Sequence, residues 1–425
     1  STQPSLSPSK PVNNIGRSIS SAGSRMIFRK RSLLLLLALV LLSTYAYHRH
    51  SAQLLSVFNP NRAASLVLDE LQSPPSPKIW REPPYKTPVA EKYYQASNTS
   101  KRASAAIVIL ARNRNLPGVV QTLIQFEQKF NHKFNYPYVF LNEVPFDEAF
   151  KVAVTALTRA RVEFGLVPPE DWYQPSWIDE NKASAVRERM KNTVLYGDSV
   201  SYRNMCRFQS GFFFRHELLK KYRWYWRVEP DVKFSCDLDF DPFLFMEGED
   251  KRYAFTISLG EYRKTIPSLW TTVRAFMRMN PDLVVTDNAM EMLIDRRKGY
   301  YNRCHFWSNF EIADLDLWRS ESYLKYFDFL DRKGGFYYER WGDAPVHTLG
   351  AAMFLRKDQI HFFNEIGYFH MPYEHCPEGP AFTRGRCECD PAKSFDRSDV
   401  SCLAYYDALF RDEEDEHLEG IPAVA

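Results

Sequence analysis

Residues 105–118 read AAIVILARNRNLPG, and this stretch decides the fold. Ala105 to Ala111 form an unbroken apolar run without polar alternation, the pattern of a strand buried on both faces. A polar loop starts at Arg112, and a helical pattern follows over Val119–Phe130. A second apolar run, Tyr138–Leu141, comes soon after. Strand, polar loop, helix and strand open an α/β layer, in which ligands meet the carboxyl ends of the strands. No G-x-G-x-x-G fingerprint and no Walker loop is present, so dinucleotide and ATP sites have no support. Arg112, where the first strand ends, either holds a phosphate or ribose or is an ordinary surface arginine.

The rest of the chain bounds the answer. Its 425 residues are 45% hydrophobic, 15% aromatic and 25% charged, which excludes a disordered chain, a collagen-like repeat and a disulfide-dense miniprotein. A net charge of +3 over this length is too small to imply a nucleic-acid partner.

That charge is unevenly placed. Residues 1–32 carry Lys10, Arg17, Arg25, Arg29, Lys30 and Arg31 and no acid, leaving 49 basic against 52 acidic residues elsewhere. Leu33–Tyr47, LLLLLALVLLSTYAY, is the only long apolar run. As a helix it spans roughly 22 Å, short of a ~30 Å hydrocarbon core unless snorkelling and aromatic flanks extend it. A core helix does not fit the Ser/Pro-rich lead, and a cleaved signal peptide lacks an A-x-A site. A retained signal anchor is the expectation, with residues 1–32 cytosolic by the positive-inside rule. Residues 48–101 are rich in Pro and Ser, with SPPSPK at 73–78 and REPPYKTP at 81–88, as expected of a stem. Asn98-Thr99-Ser100 is the only glycosylation sequon, and acidic residues 412–418 read as a solvated tail. The expected organisation is a tail at 1–32, a transmembrane helix at 33–47, a stem at 48–101 and a folded domain at 102–425.

All seven cysteines follow the stem: Cys206, Cys236, Cys304, Cys376, Cys387, Cys389 and Cys402. On the far side of a membrane they can form up to three disulfides and leave one thiol. Zinc is the rival reading, without a C-x2-C pair to support it. Spacing does not give the connectivity.

Residues 222–234 read YRWYWRVEPDVKF. This aromatic strand ends in Glu229-Pro230-Asp231, and carboxylates at i and i+2 of an extended segment face one side. Such a pair suits a hard divalent cation, which in turn neutralises a diphosphate. Pro230 removes a ladder donor, so the triplet belongs at a strand end. Asp237/Asp239, Asp239/Asp241 and Asp314/Asp316 have the same spacing, so spacing alone does not choose. Further on, Glu311 lies inside FWSNFEIADL, where a carboxylate among apolar residues is either paired or used chemically. His347, His370 and His375 are all open as partners; the last two lie in a Pro/Tyr-rich segment expected to line a site as a loop.

Five blocks then carry a family resemblance: SYRNMCRFQSGFFF at 201–214, YRWYWRVEPDVKF at 222–234, SNFEIADLDLWR at 308–319, YYERWGDAPVHTLG at 337–350 and IGYFHMPYEHCP at 366–377. In this order they resemble the fungal Golgi α-1,2-mannosyltransferases, the glycolipid 2-α-mannosyltransferases of glycosyltransferase family 15. The resemblance implies a GT-A fold, a Rossmann-like mixed sheet flanked by helices. It implies GDP-mannose as donor, Mn2+ as cofactor, a mannose-terminated glycan as acceptor and retention of the α configuration. It also implies a Golgi membrane protein of single-pass type II topology, anchored through Leu33–Tyr47, with a lumenal catalytic domain.

By the same resemblance Glu229 and His370 are the metal ligands, with Asp231 completing the motif. Glu311 resembles the catalytic nucleophile and Tyr202 a catalytic group near the sugar. Arg112, Glu261 and Asp343 resemble donor or substrate contacts. A mannan-binding lectin and a retaining mannosidase are the competing readings, and neither needs a nucleotide sugar.

Overall fold

The computed structural model describes residues 89–94, 101–295 and 299–410. Twelve strands occur among them: β1 Ala105–Leu110, β2 Tyr138–Asn142, β3 Val162–Leu166, β4 Trp224–Arg227, β5 Lys233–Phe234, β6 Tyr253–Phe255, β7 Ser258–Gly260, β8 Cys304–Phe306, β9 Glu311–Asp314, β10 Ile360–Phe362, β11 Tyr368–His370 and β12 Tyr373–His375. Seven form the central sheet in the order β10-β6-β9-β4-β1-β2-β3. The block β4-β1-β2-β3 is parallel throughout, and β10 runs parallel to β6. Only β9 opposes its neighbours, β4 and β6. The result is a mixed, parallel-rich α/β sheet, as the opening strand and loop implied.

The unbroken apolar run of β1 has the expected cause. Ala106 and Val108 enter one hydrophobic cluster, and Ala105, Ile107 and Ile109 enter the other on the opposite face. Both faces are covered, so neither register position is left to a polar residue. Helix α1, Leu116–Phe126, follows the Arg112 loop with Pro117 in its first turn, then continues as a π-helical segment over Glu127–Asn131. Helix α2, Val200–Gly211, is capped by the Ser199 side chain, which accepts from the Tyr202 amide. In helix α3, Asp343–Phe354, every residue is buried. It is apolar nearly all round, so it lies inside the fold and not upon it.

Two small sheets complete the frame: β12-β11-β5, and the pair β7-β8. The three expected disulfides are Cys236–Cys387, Cys304–Cys402 and Cys376–Cys389, with Cys206 as the buried free thiol. This pairing removes the zinc reading.

Residues 89–94, inside the expected stem, pack against the folded domain. Val89 and Tyr93 are buried, and the Tyr93 hydroxyl donates to Glu249 over 2.6 Å. The expected tail, the apolar run Leu33–Tyr47, Asn98 and residues 412–418 lie outside the described residues. Among the described residues no helix is long and apolar enough to cross a membrane. This corrects the localisation expected above: a single-pass type II placement in the Golgi membrane is not supported.

Candidate active site

The site gathers where β1 and β4 end. After Arg227 the chain leaves the central sheet, turns through Glu229-Pro230-Asp231 and enters β5. Pro230 does stand beyond a strand end. The triplet is a turn, however, and not the extended segment expected from the sequence. Asp231 takes a left-handed backbone with φ 65°. The two carboxylates therefore do not share one face. Asp231 instead lies against the first turn of α1, where a Cβ on Gly118 would run into its carboxylate. Glycine is required there for that reason.

Glu229 finds its partner on another segment. Strand β11 pairs with β5, and its last residue, His370, brings Nε2 to 3.7 Å from Glu229 Oε2. Both side chains keep a little under a third of their surface open. His370 Nδ1 lies 3.1 Å from its neighbour's carbonyl, that of Met371. A carbonyl there requires an N–H, which leaves the Nε2 lone pair facing Glu229 in the neutral ring. An oxygen and a nitrogen converging in this way fit a divalent cation. Among the described residues no group of three or more His, Cys, Asp or Glu side chains could hold a metal ion, so the pair by itself offers two ligands. His375, by contrast, is buried and bound to Asp396 over 2.8 Å. The segment carrying both histidines is the β11–β12 hairpin, not an irregular loop.

Arg227 organises the acids, and sequence reasoning missed it. Its guanidinium donates to Glu229 from Nε over 3.1 Å and from Nη2 over 2.5 Å, and to Asp343 from Nη1 over 2.6 Å. Burial alone would raise Glu229, but Arg227 and His370 outweigh it and hold the carboxyl down at about 2. Asp343 is lowered in the same way: burial opposes, and Arg227 prevails with help from the Ser308 hydroxyl at 2.8 Å. In His370, burial lowers the imidazole and Glu229 more than reverses it. The signal in the sequence was a lone arginine inside the strand WYWR, since a buried charge requires a partner.

A cavity of about 390 Å³ opens at the carboxyl end of β1, lined among others by Arg112, Glu143, Tyr196 and Tyr202. Arg112 is no ordinary surface residue: its Nε donates to Glu143 over 2.7 Å, and Nη2 donates to Ser201. Tyr202 stacks on Tyr196 at 4.7 Å and carries the Arg340 guanidinium 5.2 Å from its ring centre. Arg340 pairs with Glu261 at 3.5 Å. Burial pushes the Tyr202 phenol well above its ordinary value, so it is a neutral hydroxyl at pH 7.

Glu311 is close by but sealed. It opens β9, directly opposite Arg227 on β4, and is 0% exposed. Its carboxylate accepts from Tyr225 over 2.9 Å and from Tyr253 over 3.0 Å, and lies 2.7 Å from His347 Nδ1. In this geometry it does not present a free oxygen to a sugar. The other acid pairs are structural: Asp237 and Asp239 bind Lys129, Lys133 and Arg386, and Asp314 binds Arg223 and Arg252.

A mixed, parallel-rich α/β sheet with a cavity at the carboxyl ends of its parallel strands defines a class, the α/β enzymes that bind their ligands at that edge of the sheet. The particular family follows from comparison. The chain belongs to the glycolipid 2-alpha-mannosyltransferase family, whose profile matches residues 77–409. It is 50% identical over 310 residues to an alpha-1,2 mannosyltransferase, KTR1, of Saccharomyces cerevisiae, covering 72% of this chain and 79% of that one. It is 49% identical over 312 residues to an O-glycoside alpha-1,2-mannosyltransferase, omh1, of Schizosaccharomyces pombe, covering 73% and 80%. Among solved structures, core-mannan synthase A of Aspergillus fumigatus in a Mn/GDP form superposes with a TM-score of 0.69 at 39% identity, covering 80% of this chain and 92% of that one. The mannosyltransferase Ktr4p of S. cerevisiae in complex with GDP gives 0.70 at 36%, covering 84% and 98%. The chain is therefore an enzyme of the glycosyltransferase class.

Proposed function

We propose that this chain transfers mannose from GDP-mannose to the 2-hydroxyl of a mannose acceptor, retaining the α configuration, in the elongation of N- or O-linked glycans. The observation that carries the reading is that the Arg112–Tyr202 cavity and the Glu229–His370 pair follow the carboxyl ends of two neighbouring parallel strands, β1 and β4, in a chain half identical to named α-1,2-mannosyltransferases. The domain at 102–425 is the catalytic part, with a GT-A arrangement. Glu229 and His370 would hold Mn2+, which when bound neutralises the charge that develops on the departing diphosphate.

The remaining roles belong to this chain's own side chains. Arg112 binds the nucleotide end of the donor, and Asp231 borders it from the turn after β4, against the first turn of α1. Arg227 keeps Glu229 and Asp343 ionised, and Asp343 takes the donor sugar. Glu261, held by Arg340, contacts the acceptor. Tyr202 is a neutral hydroxyl at the cavity wall, able to hydrogen-bond both sugars. The burial of Glu311 supports attack by the acceptor on the face that GDP leaves, with Glu311 placing its neighbours rather than bonding to the sugar.

Incubation with GDP-mannose, Mn2+ and α-methyl mannoside, followed by linkage analysis of the product, tests the reading. An α-1,2-linked disaccharide is expected. Binding of mannan without transfer would favour the lectin reading, and nucleotide-independent release of mannose the glycosidase reading; either result overturns the proposal.

A further inference from the structure

Helix α3 poses a problem of register. Apolar burial is non-directional, so in a helix buried on every side the few polar groups, each needing a partner, add to close packing in fixing the register. Only Asp343, His347 and Thr348 along its length carry side-chain polar atoms. Thr348 accepts the Phe306 amide of β8 at 2.8 Å. Asp343 and His347 are one turn apart on one helical face. Their partners, Arg227 and Glu311, are direct cross-strand neighbours on β4 and β9. The helix is thus fastened to two adjacent strands by two parallel pairs, Asp343–Arg227 at 2.6 Å and His347–Glu311 at 2.7 Å.

The second pair is held from both sides of the imidazole. His347 Nε2 lies 3.0 Å from the Gln209 carbonyl of α2, which accepts only, so Nε2 carries a hydrogen. One further proton must then lie between Nδ1 and Glu311. The ring stacks on Trp318 at 4.2 Å, and the Trp318 indole N–H donates to Tyr225, itself a donor to Glu311. His347 and Glu311 are both fully buried. Neither touches the cavity or the acid–histidine pair, and nothing in the transfer reaction as described uses His347.

We propose that His347 is a positioning residue: by fastening α3 to Glu311 it sets where Asp343 holds Arg227, and so where Arg227 holds Glu229. The influence runs through one helical turn and two strands, and ends on the metal-binding carboxylate. The inference rests on the functional reading given above, but it is also visible in metal binding alone.

The test compares His347→Asn, His347→Gln and His347→Leu in the purified protein, by Mn2+ titration and by kcat and KM for GDP-mannose. Asparagine restores a donor at the Nδ1 position facing Glu311; glutamine reaches only the Gln209 side. Leu and Gln are expected to weaken Mn2+ binding and kcat by about 10- to 100-fold, the usual effect of removing an outer-shell partner, with KM changed less. Asn is expected to recover most of the loss. Should Leu fail to fold, the order Asn above Gln still decides. Equal Mn2+ affinity in Asn and Gln, or a Leu variant with wild-type affinity, would overturn the inference. Absence of mannosyl transfer in the wild type would overturn the functional reading instead, while the Mn2+ order still judged His347.

Discussion

Glu229 and His370 face each other at 3.7 Å because one three-stranded sheet carries both: the Glu229 turn feeds β5, and β11, which ends in His370, pairs with β5. Neither residue belongs to the central sheet, so the cation pair can be lost without dismantling the core. His370→Ala is expected to keep wild-type melting within about 1 kcal/mol, as partly exposed sites usually do, whereas Glu229→Gln removes a carboxylate that Arg227 holds down at about 2 and should lower stability at pH 7. Mn2+ binding and transfer should fall at least 100-fold in Glu229→Gln. EDTA should abolish wild-type transfer and added Mn2+ restore it. Full turnover in EDTA would remove the metal role from both residues.

Glu311 gives a sharper test of mechanism. With the Tyr225 and Tyr253 hydroxyls and His347 Nδ1 closing around its carboxylate and no exposure, it is expected to form no bond to mannose. Rapid quenching with GDP-mannose and intact-mass analysis should find unmodified protein. Glu311→Gln should slow transfer by about 10- to 100-fold through misplaced neighbours. A mannosyl adduct mapped to Glu311 would restore the nucleophile.

Asp343 links the site to acid stability. Its carboxyl is lowered because Arg227 outweighs burial. A lowered carboxylate contributes stability that is full above the ordinary aspartate value, about 3.9, and is lost as pH falls through the folded value. Arg227→Met leaves Asp343 buried without its cation and should cost about 3–5 kcal/mol at pH 7. The gap between variant and wild type in urea midpoints should narrow below about pH 4. A gap that stays constant from pH 7 to pH 3 would show that the pair is not the source.

The Cys304–Cys402 disulfide closes a loop with a sequence separation of 98. Replacing both cysteines by serine should cost about 4–5 kcal/mol if chain entropy dominates. A loss below about 1 kcal/mol in urea unfolding would assign the stability of that region to packing alone.

How far the sequence was legible varied with the kind of contact. β1 was read correctly because local pattern and tertiary burial agree over AAIVILA, and the disulfide count followed from seven cysteines. The pairing of Cys236 with Cys387 was not legible, since spacing carries no information across a separation of 151. The Glu229-Pro230-Asp231 turn was misjudged because strand periodicity was carried one turn too far, past a proline into a left-handed residue. Arg227 and His347 were passed over as part of an aromatic strand and as one histidine among several. Arg227 ends an otherwise apolar strand and His347 lies in a helix that is apolar nearly all round, the pattern that implies a buried partner.

The β5–β11 pairing also governs when activity can begin. A chain growing from its N-terminus completes β1, β4, the Arg112–Tyr202 cavity and Glu229 long before His370 is made. Strand β10, on the edge of the central sheet, and five of the six bridged cysteines lie in the last third of the chain. A product ending before β11 would carry Glu229 without His370 and would have none of the three disulfides. Under the proposed roles, the pairing of Glu229 with His370 waits for β11, and chains terminated before that strand are expected to be inactive.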